Sequence, residues 1–295
     1  MTTLMLKLIL VVTMTLDHVA VIFLPRTSEL YRWFRMFGRP ALPIACFLLA
    51  EGFVKTASRK KYLVRMAVTA VVAELFWIFL WVRQRIEAIE LVQKVYEDAG
   101  GDAVWKIGEQ DGLSRWYETV DAVTKNEYTG WIVPMFNVLF TLTLCILMLM
   151  GLCKIRQLFN GMEPGKMFHN FGYLLSMGAV IYATLFVCLL IGTDYPVLAP
   201  IMVAAAYIFR GEKVTILIIY GLGSLLSGTQ EILYAAAMLF GVFALYFYNG
   251  ELGYDKKTKP WVRIAFYAYY PLHLAILVEA RYFDVIFDSF RGISG

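Results

Sequence analysis

Two apolar runs of this chain carry ionisable side chains that could do acid and base chemistry away from water. Asp17 and His18 interrupt the first run, residues 4 to 24, and His273 interrupts the last, residues 262 to 281. An imidazole titrates near working pH and suits a general base. A carboxylate can orient such a ring and stabilise its cation, and an amide such as that of Asn137 can donate to an oxyanion. Base, orienting acid and oxyanion donor are what amide or ester formation from a thioester needs. Consecutive residues on a helix do not face each other, so Asp17 is expected to support His273 or to pair with Arg39. His273 ranks ahead of His18 as the base, because Tyr269-Tyr270-Pro271 precedes it and a proline can loosen its helix. The bland alternative is a structural Asp-His pair. A signal-peptide core fits poorly, since no small-residue cleavage site follows and two polar residues break the run.

Charged groups in lipid-length segments have to be held by protein, because lipid cannot solvate them. The elements that hold them follow from composition: 60% hydrophobic, 16% aromatic and 17% charged residues over 295, with a mean hydropathy of +0.63. That is too apolar for a soluble domain. With roughly 20 apolar residues needed per crossing, the windows are 4–24, 36–54, 62–82, 132–153, 170–192, 196–209, 214–229, 231–248 and 262–281. The expected fold is all-α, a polytopic membrane helical bundle of about nine transmembrane helices. The second window is broken by Pro40 and Pro43 and the sixth is short, so either could be re-entrant or discontinuous. At 1.5 Å per residue, Asp17 and His18 lie about 10 to 12 Å below Pro25, and His273 about 12 Å below Arg281. Glu74 lies about 13 Å below Arg83 and Asn137 about 9 Å below Trp131 on the same count, so four helices offer polar groups to one layer.

Alternating spans collect Lys55, Arg59, Lys60, Lys61, Lys154, Arg156, Lys166, Arg210, Lys213, Lys256, Lys257 and Lys259 on one side. The positive-inside rule makes that side cytoplasmic, with the N-terminus cytoplasmic and the C-terminus outside. Arg26, Arg32, Arg35 and Arg39 fall on the other side, and Arg35 and Arg39 are expected to turn inward as site residues. Residues 83–130 form a polar insertion with six basic and ten acidic residues, expected as an extracytoplasmic cap of two amphipathic segments divided at Gly100-Gly101; a solvated loop is the alternative. Cys46, Cys145, Cys153 and Cys188 lie in apolar windows without metal-ligand spacing, so no metal site is expected.

The segments Leu16-Asp17-His18, Gly38-Arg39-Pro40-Ala41-Leu42-Pro43, Phe47-Leu48-Leu49-Ala50-Glu51-Gly52-Phe53, Arg59-Lys60-Lys61-Tyr62-Leu63, Asn137-Val138-Leu139-Phe140-Thr141-Leu142 and Tyr269-Tyr270-Pro271-Leu272-His273-Leu274 occur in this order. Together they resemble the TraX family of F-pilin acetylase-like membrane proteins, and the resemblance runs the length of the chain. It implies a single transmembrane acyltransferase domain over residues 1–295, an integral-membrane acetyltransferase using acetyl-CoA on a free amine. By motif position it carries over Asp17, His18, Arg39, Glu51, Asn137 and His273. The chain departs from the family pattern at Pro40, where a β-branched residue is commoner, and in the length of the insertion. Both departures bear on the acceptor more than on the chemistry.

Acetyl-CoA is cytoplasmic, so its phosphates are expected at the inner basic patch of Lys55, Arg59, Lys60 and Arg65, with Arg39 and Glu51 as further donor-binding candidates. A topogenic or headgroup-binding role for the patch is the alternative. The acceptor is a peptide amino terminus, an amino sugar or a hydroxyl, including that of a lipid. Membrane lipid is an expected partner and nucleic acid is not. A proton-coupled small-molecule transporter is the second class, since it too places Asp, Glu and His at the midplane, but the sequence shows no inverted halves.

Overall fold

The computed structural model describes residues 1–25, 27–98, 136–159, 170–227, 232–255 and 261–293. Among them the regular elements are helices: α1 (Thr3–Phe23), α2 (Glu29–Gly38), α3 (Ala41–Lys55), α4 (Arg59–Asp98), α5 (Val138–Leu158), α6 (Phe171–Ile191), α7 (Leu198–Ile208), α8 (Lys213–Ser227), α9 (Ile232–Tyr246) and α10 (Trp261–Ile293). Five segments are long and apolar enough to cross a membrane: Thr3–Phe23, Glu29–Lys55, Arg59–Gln84, Val138–Leu158 and Phe171–Ile191. Shorter apolar helices occupy Leu198–Ile208, Lys213–Leu226 and Ile232–Tyr246. With α2 and α3 counted together and α10 added, each of the nine apolar windows coincides with a helix, which is the all-α membrane bundle expected.

Several helix starts carry side-chain caps. Ser28 Oγ accepts from Tyr31 N at 3.1 Å with Glu29 in the first turn of α2, and Asn170 Oδ1 accepts from Tyr173 N at 3.0 Å to open α6. Such caps satisfy backbone donors that the helix itself leaves orphaned. The expected break in the second window falls at Arg39-Pro40. Arg39 N bonds back only three residues, to Met36 O at 3.2 Å, and Pro40 has no N–H to give. The chain stays in helical dihedrals across the break, so α2 and α3 form one stepped rod.

The chain divides into two compact units, Met1–Ala73 with Phe136–Gly295, and Glu74–Met135. In the first unit α3 is the hub, packed against α1, α5, α7 and α9, and α1 packs in turn on α2 and α10. Gly241 lets α9 approach closely: a Cβ there would collide with Pro40 O and Pro43 Cγ. The short sixth window becomes α7, buried along most of its length among α3, α5, α6 and α8. At about 17 Å by helical rise it cannot span the hydrocarbon. In contrast α6 buries only Tyr173, Met177 and Cys188 and turns Leu174, Leu175, Phe186 and Leu190 outward, as a helix facing lipid does. In the second unit α4 runs unbroken to Asp98, so the first part of the polar insertion prolongs the third window as helix. The second amphipathic segment expected there lies outside the described residues.

Pro271 does not loosen α10 as expected. The non-helical dihedral inside α10 is at Tyr282 (φ −114°, ψ 19°), eleven residues beyond the proline, and the helix runs through Pro271 to carry His273. Tyr270, Leu274 and Val278 are buried on either side of the proline, and that packing holds the turn in register.

Candidate active site

Asp17 and His18 leave α1 in different directions, as adjacent helical positions must. Asp17 turns to α2, where its Oδ2 accepts from Arg35 Nη1 at 2.6 Å. The expected pairing of Asp17 with His273 or Arg39 is therefore corrected to Arg35, which lies in the last turn of α2, four residues before its C-cap Arg39. Both side chains are largely shielded, at 20% and 7% exposure, and Gly38 lies so close that a Cβ would overlap the carboxylate. Asp17 Oδ1 is buried without a hydrogen-bond partner among the described residues.

His18 turns to α10. Its Nδ1 lies 2.6 Å from His273 Nε2, and the two rings are nearly coplanar, 8° apart. His273 Nδ1 lies 2.9 Å from the backbone carbonyl of Tyr269. A carbonyl only accepts, so His273 Nδ1 carries a hydrogen and, in the neutral ring, Nε2 carries the lone pair. His18 Nδ1 then donates to it, which leaves the lone pair of neutral His18 on its Nε2. The chain of bonds fixes both tautomers. Aromatic side chains wall the pair: Tyr269 stacks on His273 with centroids 5.0 Å apart, and Tyr270 meets both rings edge-on at 5.4 and 5.7 Å. Thr15 Oγ1 donates to Val11 O, so the Tyr269 hydroxyl donates to Thr15 at 2.5 Å and pins its own ring across α1. His18 and His273 are 8% and 6% exposed, which makes this a buried imidazole pair, with His18 on a helix long and apolar enough to cross a membrane.

Arg39 adds a second set of polar contacts beside the Asp17–Arg35 pair. Its Nη1 donates to the Tyr195 hydroxyl at 2.7 Å, and its guanidinium lies 4.6 Å over the Tyr234 ring. Burial pushes the Tyr195 phenol up, against the opposing pull of Arg39, so the hydroxyl remains protonated beside the guanidinium. Asn137 stands at a different interface. Its Oδ1 caps α5 through Leu139 N at 2.9 Å, and its Nδ2 donates to Ala70 O on α4 at 3.1 Å, so its amide ties two helices together. Glu74 opens the second unit.

The expected donor-binding residues divide between two ends of the bundle. Arg39 is at the end of Asp17 and Arg35, whereas Glu51, Lys55, Arg59, Lys60 and Arg65 are at the other. There Lys55 Nζ pairs with Glu51 at 2.6 Å and donates to the Tyr248 hydroxyl and Gly250 O, each at 3.1 Å. Arg59 lies 5.0 Å over Phe53, Arg65 lies 5.5 Å over Tyr267, and Lys60 is exposed. Sequence reasoning left out Tyr269 and Thr15. Tyr269 stands four residues before His273, a spacing that puts both on one helix face.

Among the described residues no group of three or more His, Cys, Asp or Glu could hold a metal ion, and all four cysteines are buried thiols. A family model described as TraX protein matches residues 3–90 and 126–281. A protein described as "Probable fimbrial assembly protein FimC, serogroup H1", from Dichelobacter nodosus, is 26% identical over 289 residues, covering 94% of this chain and 95% of its own length. No solved structure matches the chain.

Proposed function

The chain belongs to the TraX family, and from that premise we propose that it is a membrane-embedded acetyltransferase, moving an acetyl group from acetyl-CoA to an amine or hydroxyl acceptor. The observation that carries the reading is the buried His18–His273 pair, held in one tautomeric arrangement and walled by Tyr269 and Tyr270. Acetyl-CoA would supply an activated acyl carbon with a thiol leaving group. His18 Nε2 holds the lone pair and accepts the acceptor's proton as the new C–N or C–O bond forms; the same proton then passes to the departing thiolate. His273, expected from the sequence as the base ahead of His18, becomes the positioning residue in this reading, because its Nδ1 is bound to the Tyr269 carbonyl and its Nε2 fixes His18. Asp17 and Arg35 hold α1 against α2 beside the pair, and Asn137, the expected oxyanion donor, supports α5. Lys55, Arg59, Lys60 and Arg65 draw a polyanionic donor to their end of the bundle. The fimbrial assembly relative points to a pilus subunit's amino terminus as one acceptor class, beside amino sugars and lipid hydroxyls.

The test is thiol release from acetyl-CoA by the purified protein against a panel of amines, sugars and hydroxyl compounds. Wild type is expected to release CoA with at least one acceptor. His18→Ala is expected to lose about 10²-fold or more, the usual worth of a general base. His273→Gln should retain more activity than His18→Ala. Equal activity in wild type and both variants overturns the site. The transport reading has the buried ionisable pair and the stepped α2–α3 rod in its favour. It requires sealed vesicles for any turnover, whereas acetyl transfer proceeds in detergent.

A further inference from the structure

At the end of the bundle opposite the Asp17–Arg35 pair, a cavity of about 160 Å³ opens between α3, the α7–α8 turn, α9 and the segment that follows it. Its polar wall is Glu51, Arg210, Lys213 and Tyr248, and Phe47 and Leu245 belong to its apolar wall. Arg210 is exposed and makes no hydrogen bond or ion pair among the described residues, so its charge is available to a ligand. Lys213 Nζ is steadied by the Tyr248 carbonyl at 3.1 Å and lies 5.3 Å over the Tyr246 ring. The one carboxylate in the wall, Glu51, is neutralised by Lys55 at 2.6 Å. The cavity therefore presents two uncompensated positive charges beside an apolar surface. That combination suits a molecule with phosphates at one end and an uncharged body.

We propose that this cavity seats the phosphate-bearing end of the acyl donor, with Arg210 and Lys213 as its phosphate ligands; the inference rests on the acetyltransferase reading given above. The residues first expected there are already engaged: Lys55 with Glu51 in the cavity wall itself, Arg59 over Phe53, and Arg65 over Tyr62 and Tyr267. They contribute field, while Arg210 and Lys213 contribute contacts. The helical step from Phe47 in the cavity wall back to Gly38, which touches Asp17, is roughly 13 Å at 1.5 Å per residue. A compact anion bound in the cavity would stay remote from the histidines. A nucleotide thioester on a long flexible arm could hold its phosphates at the cavity and its acyl carbon toward His18, which is why the proposal commits to coenzyme A rather than to free phosphate.

The experiment is calorimetric titration of CoA into the purified full chain in detergent, comparing wild type, Arg210→Gln, Lys213→Gln, the double variant and the control Lys154→Ala at the end of α5. Binding is expected to weaken at least about tenfold in the double variant, since charge-assisted bonds to phosphate are the stronger polar contacts. Lys154→Ala should bind like wild type. Arg210→Gln removes a side chain with no structural partner, so its thermal midpoint should match wild type, and its weakened binding stands even if Lys213→Gln fails to fold. Unchanged CoA affinity in Arg210→Gln and in a folded double variant overturns the cavity as donor site and leaves the acetyltransferase reading standing. Absence of CoA binding to wild type overturns the donor itself, and with it both readings. If a short-chain phosphatidic acid stabilises the wild type through Arg210 while CoA binding does not depend on it, the occupant is a lipid headgroup and the proposal fails.

Discussion

Asp17 and His18 are consecutive residues given to different neighbours, and the site follows from that divergence. Adjacency in the sequence was enough to show that they could not face each other. It was not enough to pick the partner, because Arg35 in α2 and Arg39 at its C-cap stand four residues apart in helical dihedrals, share a face, and differ only in height. Height is set by how α1 and α2 pack, with Gly38 against Asp17, and spacing carries no information about that. The equal depth of His18 and His273 was legible from helical rise; their mutual hydrogen bond needed the packing of α10 on α1. The Asp17–Arg35 bond makes a sharp prediction for a double-mutant cycle. Removing one member of a shielded ion pair strands the other charge, so Asp17→Asn and Arg35→Met are each expected to cost on the order of 3 kcal/mol. The double variant should cost clearly less than the sum of the two. Chemical unfolding in detergent measures all three, and additive losses would show that the pair does not act as a unit.

The helices themselves were readable from hydropathy, down to the stepped second window and the short sixth. Proline was the poorer guide. Pro40 does mark the step between α2 and α3, where Arg39 bonds only to Met36 O, yet Pro271 sits inside a helix that continues. A proline removes one hydrogen bond wherever it falls, and whether the helix breaks there depends on the neighbours that hold the next turn. Two substitutions separate these cases. Gly241→Ala drives a methyl group into the backbone of Pro40 and is expected to cost about 1 to 3 kcal/mol, the usual penalty of overpacking a close crossing. Pro271→Ala is expected to leave the thermal midpoint unchanged or raised, because the helical dihedrals it needs are already present. A stable Gly241→Ala protein, or a collapse of Pro271→Ala, would contradict this account of how α9 and α10 are seated.

At the scale of the molecule, charge distribution anticipated which segment ends lie together. Lys55 reaches Tyr248 and Gly250, Lys213 reaches the Tyr248 carbonyl, and Thr3 N donates to Glu251 O at 2.8 Å, so four separate segment ends meet at one end of the bundle. By the positive-inside rule that end is expected in the cytoplasm. Since the native cysteines are buried thiols, single introduced cysteines report cleanly. Ala57→Cys and Gly250→Cys are expected to react with an impermeant thiol reagent only after the cells are opened, and Glu29→Cys before. Opposite labelling would invert the orientation. Ala57→Cys and Gly250→Cys labelling differently would contradict the shared end itself.

The two polar residues of α1 also set an order of assembly during synthesis. Asp17 meets its counter-charge after 18 further residues, when α2 emerges, whereas His18 waits for a ring 255 residues downstream. Through the insertion of every helix between, the His18 ring lacks its bond to His273, which forms only after α10 has emerged. A chain stopped before α10 would therefore have its ion pair and most of its bundle but an incomplete polar seam along α1, open to lipid or to whatever membrane chaperone guards unfinished helices. The His18–His273 pair is complete only once α10 is inserted, so a copy terminated before α10 should carry no acetyl transfer activity and should be a preferred substrate for membrane proteolysis.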